Sequence, residues 1–221
     1  MNVSDFSTYV KYDLKRTDKD TEIIQARNDA IMQIATMMPH GAYKYQSYAQ
    51  TVLAQEDYPL PSTLIHLIKP LRLLDGSASS DSGTRLEDIS KAEYDSREPN
   101  PNRTSPSTGR PSAACIYSNS VLLTPIPDKA TYLIEINWTI RPTALSGASD
   151  LPTLGSEWDE VQKWMTLDRV FAGMGMFEES MFWRGRYETG QGDPLGMFKR
   201  LLDIERDKEG RTIGQVRNNS L

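Results

Sequence analysis

Between Leu122 and Leu145 the chain strings together a short apolar run, a Pro-x-Pro-Asp turn and a strictly alternating segment. Tyr132, Ile134, Ile136, Trp138 and Ile140 fall on one side of a period-two pattern, and Glu135, Asn137, Thr139 and Arg141 on the other, which predicts a half-buried antiparallel strand. Upstream, SAACIY and VLLTPI read as two short strands around an SNS turn. The stretch after His40 places Tyr43, Tyr45 and Tyr48 at alternating positions and then turns at Tyr58-Pro59-Leu60-Pro61. It predicts a strand, a turn and a second strand, TLIHLIKPLRLL, in which Pro70 demands an edge or a break because it has no N–H to donate.

Helical periodicity takes over at both ends. SDFSTYVKYDLKR, with Ser4 as its candidate N-cap, and the segment from Asp18 to Met38, capped by Thr17 or Asp18, predict a pair of helices. In the second of these, Ile23, Ala26, Ala30, Ile34 and Met37 form one apolar stripe. From Ser156 to Arg186, Trp158, Val161, Met165, Ala172 and Met176 line one side, and Trp164, Leu167, Phe171, Met174 and Met181 a neighbouring one. The pattern predicts a helix of roughly 40 Å if continuous, with Gly173 and Gly175 marking either a close approach or a bend. A further helix begins at Pro194 and presents Met197, Leu201, Leu202 and Ile204. RLEDISKAEYDSRE reads as a short helix, Asp75 to Gly83 and Pro99 to Pro111 as loops, and the end from Gly210 to Leu221 as an unpatterned polar tail.

The fold class that results is α+β: a helical bundle core, made of the N-terminal helix pair and the long C-terminal helices, with an inserted antiparallel β-rich domain and an extended C-terminal tail. The expected bounds are 1–41 and 151–208 for the helical core, 42–150 for the insertion and 209–221 for the tail. Composition adds little that contradicts this. In 221 residues there is one cysteine, so no internal disulfide, and nothing like a secretory signal or a spanning apolar run, which reads as a protein of a reducing cytoplasm without membrane contact. A net charge of −5 gives no basic footprint for gripping a duplex. Apolar content of 38% with 13 Pro and 14 Gly points to loops and arms fixed against neighbours.

Chemistry is sparse. His40 and His66 have no carboxylate or cysteine at a ligand spacing, and His66 reads as a hydrogen-bonded structural residue. No phosphate-binding Gly-rich loop, Gly-x-Ser-x-Gly or His-Glu-x-x-His motif occurs. Asp18, Asp20 and Glu22, or Glu178 and Glu179, could bind a hard cation, but helix first turns and solvated faces account for them better. Cys115 behaves as a small hydrophobe in an apolar strand. Lys11, Lys15 and Arg16, and Arg184 and Arg186, read as solvated helix faces. Tyr43, Tyr45, Tyr48 and Tyr58 form an ordinary sheet face before they form a stacking site. No catalytic residue, cofactor site or metal site is expected, and no enzyme.

The order of these features resembles the head-to-tail adaptors (connector or head-completion proteins) of tailed bacteriophages, the short-tailed ones in particular. The resemblance is carried by IIQARNDAIMQIATMM, QTVLAQEDYPLPSTLIHLIKPLRL, RLEDISKAEYD, GRPSAACIY, LLTPIPDKATYLIEINWTIRPTAL, DLPTLGSEWDE and the long helix. It implies a structural virion protein of the neck, assembled in the host cytoplasm. About a dozen copies would form a ring that binds the portal protein, joins a nozzle or tail-tube protein below, and passes genomic DNA through its channel during ejection without sequence-specific binding. Subunit and portal contacts are expected at Trp158, Trp164, Phe171, Met174 and Phe182, and in the tail at Arg211, Ile213, Val216, Arg217 and Leu221. The alternatives are a tail-tube or tail-completion protein, and a carbohydrate-binding or hydrolase module built on the tyrosines.

Overall fold

A computed structural model describes residues 1–37, 41–77, 83–98, 108–188 and 197–204. It divides into two units, one of residues 44–140 and one made of the segments on either side. The fold is α+β: the flanking unit is helical, and the central one carries mainly antiparallel sheets, with two parallel pairings and one short helix, Lys91–Arg97.

In the helical unit, α1 spans Val3–Leu14 and α2 Asp20–Met37. The N-cap of α1 is Asn2 rather than the expected Ser4: its Oδ1 accepts the Asp5 N–H at 2.8 Å. The cap moves because the Val3 and Ser4 N–H groups, otherwise orphaned in a first turn, donate to the carbonyls of Asp150 and Ala148. Lys15, at φ 54°, stops the helix by returning its N–H to Lys11. A single-turn 3-10 segment (Ser156–Trp158) leads into α4, Asp159–Gly173, and α5 follows at Phe177–Glu188. Phe6, Val10, Leu14, Ile23 and Ala26 from the N-terminal pair pack with Leu167, Val170 and Phe171 of α4. The segment 141–150 belongs to this unit, so the β unit ends at Ile140 rather than at 150. The cause is visible in the bonds that tie it down: Asn28 exchanges two hydrogen bonds with the backbone of Leu145, and Asp150 accepts the N–H groups of Ser146 and Gly147.

The stretch read as helical from 156 to 186 is not one continuous helix: it turns at Gly175, the bend that its glycines left open as an alternative. Gly175 sits at φ +76°, the Met176 N–H reaches the Phe171 carbonyl at 2.9 Å, and the Gly175 N–H reaches that of Ala172 at 3.0 Å. This is a Schellman C-cap, which needs a left-handed residue at the position glycine occupies. Gly173 stays helical inside α4.

The β unit is built on β10, Tyr132–Ile140. It pairs antiparallel with β1 (Lys44–Gln50) on one side and with β3 (Leu64–Asp75) on the other, and β4 (Thr84–Arg85) adds to β3. Pro70 falls where the β3–β10 register shifts, between the Ile68 and Arg72 pairings, so no ladder N–H is missed. A second sheet runs β2 (Asp57–Pro59), β8 (Ser120–Thr124), β7 (Ala113–Tyr117), β5 (Glu87–Asp88), and β6 (Thr108–Gly109) pairs with β9 (Ile126–Pro127). Tyr132, Ile134, Ile136 and Trp138 pack with Leu71 and Leu73 of β3 against Tyr58, Val121, Leu123 and Ala114. The opposite face of β10 is buried too: Thr139 is 0% exposed and Glu135 8%. The strand is therefore covered on both faces where the alternation predicted one.

The hairpin between β7 and β8 turns at Ser118 and Asn119, both at positive φ, with Tyr117 opposite Ser120. That is a two-residue type I′ turn, the form whose twist suits the strands. The segment read as one helix from Arg85 starts its helix, α3, only at Lys91, where Ser90 caps Glu93. Leu86 and Ile89 are extended instead, their N–H groups bound to Leu71 and Ala114.

Candidate assembly surface

The surface of α5 is built the wrong way out for a helix of a self-contained bundle. Its buried residues are Ser180 and Tyr187, both polar, while Phe177, Met181 and Phe182 are 67%, 69% and 45% exposed. Trp183 is half-buried against the helical core together with Met174. Arg186 lies over the Phe182 and Trp183 rings at 4.9 and 5.2 Å.

The polar side of α5 closes on Asp168 of α4, which is 2% exposed. Ser180 donates to Oδ1 at 2.6 Å and Tyr187 to Oδ2 at 2.8 Å. The Arg184 guanidinium reaches the same carboxylate at 3.2 and 3.3 Å. A buried charge is tolerable only when its lone pairs are met in this way. Burial, reinforced by the bond to Asp168, pushes the Tyr187 hydroxyl up to about 12.

Of the residues expected at interfaces, Trp158 is 1% exposed and meets Phe198 edge to face at 6.1 Å. Phe171 is likewise buried in the protomer's own core. Neither offers a free surface; the protomer has already used both. Trp164 and Met174 are half-buried and Phe182 is exposed. Arg211, Ile213, Val216, Arg217 and Leu221 lie outside the described residues. Sequence reasoning missed Phe177 as an exposed residue and missed Asp168 altogether, although a lone carboxylate among the apolar positions of a helix was a readable signal.

The candidate chemistry resolves into ordinary pairing. Asp18 bonds Arg16, Asp20 bonds Lys11 and Glu22 bonds Lys19, all within 3 Å. The Arg16 partner holds the Asp18 carboxyl down to about 2. Glu178 and Glu179 are exposed in the first turn of α5. Among the described residues no three His, Cys, Asp or Glu side chains are grouped to hold a metal ion. Cys115 is buried, and burial pushes its thiol up. His66 is exposed on β3 rather than held in the interior. The four tyrosines do not share a face: Tyr43 and Tyr58 are buried, Tyr45 and Tyr48 exposed on β1. Tyr45 packs tilted against Trp138, with ring centroids 4.9 Å apart. No helix among the described residues is long and apolar enough to cross a membrane.

Comparison with curated proteins gives no match. The family model for the SU10 adaptor protein matches residues 1–217. With nearly its whole length matched, the chain belongs to the SU10 adaptor protein family, which are bacteriophage structural adaptors.

Proposed function

We propose that the protein forms a ring, of about twelve copies, in the neck of the virion, where it binds the portal on the head side and a tail protein on the other and leaves a central channel for DNA. The observation that carries this reading is the family match over residues 1–217. Two features of the chain support it. Phe177, Met181 and Phe182 leave α5 with apolar surface that a solitary protomer does not cover, and a head-to-tail contact repeated around a closed rotation would cover it. The acidic balance of −5 suits a channel through which duplex must slide, because strong phosphate neutralisation would grip it in a salt-dependent way.

Of the expected contact residues, Phe182 and the half-buried Trp164 and Met174 serve the neighbouring copy in this reading. The tail residues Arg211, Ile213, Val216, Arg217 and Leu221 serve the portal. Electron microscopy of the purified protein with and without portal tests the proposal: rings bound to portal are expected, and a protein that neither forms rings nor binds portal refutes it. Limited proteolysis in the two states separates the contacts, since residues 205–221 should be protected only after docking.

A further inference from the structure

Three observations on the α4–α5 junction belong together. First, α5 leaves Phe177, Met181 and Phe182 exposed and meets the helical core mainly through Ser180, Tyr187 and the half-buried Trp183. Second, the two residues it buries completely, Ser180 and Tyr187, both end on the single carboxylate of Asp168, joined there by Arg184. Third, the connection is a glycine-bracketed turn: Gly175 is left-handed, and a Cβ at Gly173 or Gly175 would meet nothing within 4 Å. Packing therefore does not explain why position 173 is glycine, and a glycine inside a helix costs about 1 kcal/mol relative to alanine.

The geometry of the contact is decisive. In an uninterrupted helix residues 168 and 187 would lie about 28 Å apart at 1.5 Å per residue, yet their side chains are hydrogen-bonded at 2.8 Å. The Asp168 cluster can exist only while α5 is folded back. The apolar stripe through Trp158, Val161, Met165 and Ala172 reaches Met176 beyond Gly175, so the local pattern does not itself demand the fold-back.

We infer that α5 is a hinged arm, latched against α4 by Asp168 and able to open as a unit about residues 174–176 while α1, α2 and α4 stay folded. The inference concerns the protomer alone and stands or falls independently of the ring. Opening breaks the four bonds to one carboxylate and frees Trp183, while Phe177, Met181 and Phe182 are already in solvent.

Hydrogen exchange of the full chain, read by peptide mass spectrometry, tests this. Amides of 177–188 should exchange ahead of those of 159–171. Tyr187→Phe should raise the α5 rate about tenfold, the worth of one hydrogen bond to a charged group, and leave α1, α2 and α4 unchanged. Gly175→Ala, which penalises the folded-back turn only, should act the same way and keeps the test sound if Tyr187→Phe fails to fold. Equal protection of α4 and α5 in the parent, or variants that speed all four helices together, would overturn the inference.

Discussion

Arg27 is the most consequential single side chain of the helical unit. It is 1% exposed, with its guanidinium 3.9 Å over the Phe6 ring. It donates to Gln162 Oε1 at 3.1 Å and to the carbonyls of Met1 and Asn2 at 2.8 and 3.3 Å. It therefore ties the start of α1 to both α2 and α4. Asp159, at 3.9 Å, is a weak partner, and burial pulls the guanidinium down to about 10 despite it. Replacing Arg27 by methionine keeps the apolar stem over Phe6 and removes every donor. The Met1 and Asn2 carbonyls are only part-buried, but Gln162 is 0% exposed and its Nε2 has no partner among the described residues.

Each hydrogen bond from a charged donor is worth about 1.5–3 kcal/mol, and removing one partner of a buried polar cluster about 3–5 kcal/mol. Water at the two carbonyls recovers part of this, so about 2 kcal/mol is expected for Arg27→Met and about 4 kcal/mol for Arg27→Ala, which also empties the stem's volume. At about 2–4 °C per kcal/mol for a chain of this size, the methionine variant should melt about 4–8 °C lower by helical circular dichroism. Buried ion clusters in other proteins are sometimes replaced by apolar side chains with a gain in stability. An Arg27→Met protein melting at or above the parent would put Arg27 in that class and refute the tie described above.

Two further outcomes follow from groups buried without full compensation. Burial is the leading cause that raises Tyr43, Tyr58, Tyr94, Tyr132 and Tyr187, Tyr187 to about 12. Their folded-state values lie above the unfolded one near 10, so the neutral form contributes stability that is fully present below about pH 10 and is lost as pH climbs through the folded values. Spectrophotometric titration should show a late tyrosine phase coinciding with unfolding, and a single phase near 10 would contradict it. Trp138 is 3% exposed and its Nε1 has no acceptor among the described residues. Trp138→Phe removes an orphaned donor worth about 1–3 kcal/mol while leaving a small cavity. It should cost less than about 1.5 kcal/mol in urea unfolding, and a loss above about 3 kcal/mol would mean that the indole N–H is satisfied in solution.

What could be read from the sequence was whatever local pattern and tertiary packing agree on. Strand β10 was legible because five apolar residues recur at period two, and the β7–β8 hairpin because the polar Ser118-Asn119-Ser120 turn separates two short apolar runs. The N-terminal helix pair was legible from its stripe. Where the two levels disagree, the reading failed. Glu135 and Thr139 look like a solvent face yet are buried; Glu135 lies beside Arg72 of the paired strand, a contact that periodicity does not show. The segment 85–90 has helical spacing, but two backbone bonds to strands hold it extended.

The long helix shows the same conflict more sharply. Its apolar positions recur from Trp158 to Met181 with Asp168 among them, and only Gly173 and Gly175 argue for a stop; a glycine alone costs too little to outvote the stripe. The C-cap bonds of Ala172, Gly175 and Met176 and the four donors on Asp168 together decide for the fold-back. Aromatic residues were legible as important but not as to which side they serve: Trp158 and Phe171 close the protomer's own core, while Phe177 and Phe182 face out. A period analysis reads all of them as apolar positions of one helical stretch. Only the position of the turn separates the aromatics spent on the protomer's core from those left exposed, and that turn is fixed by the conformation of one glycine and the partners of one aspartate.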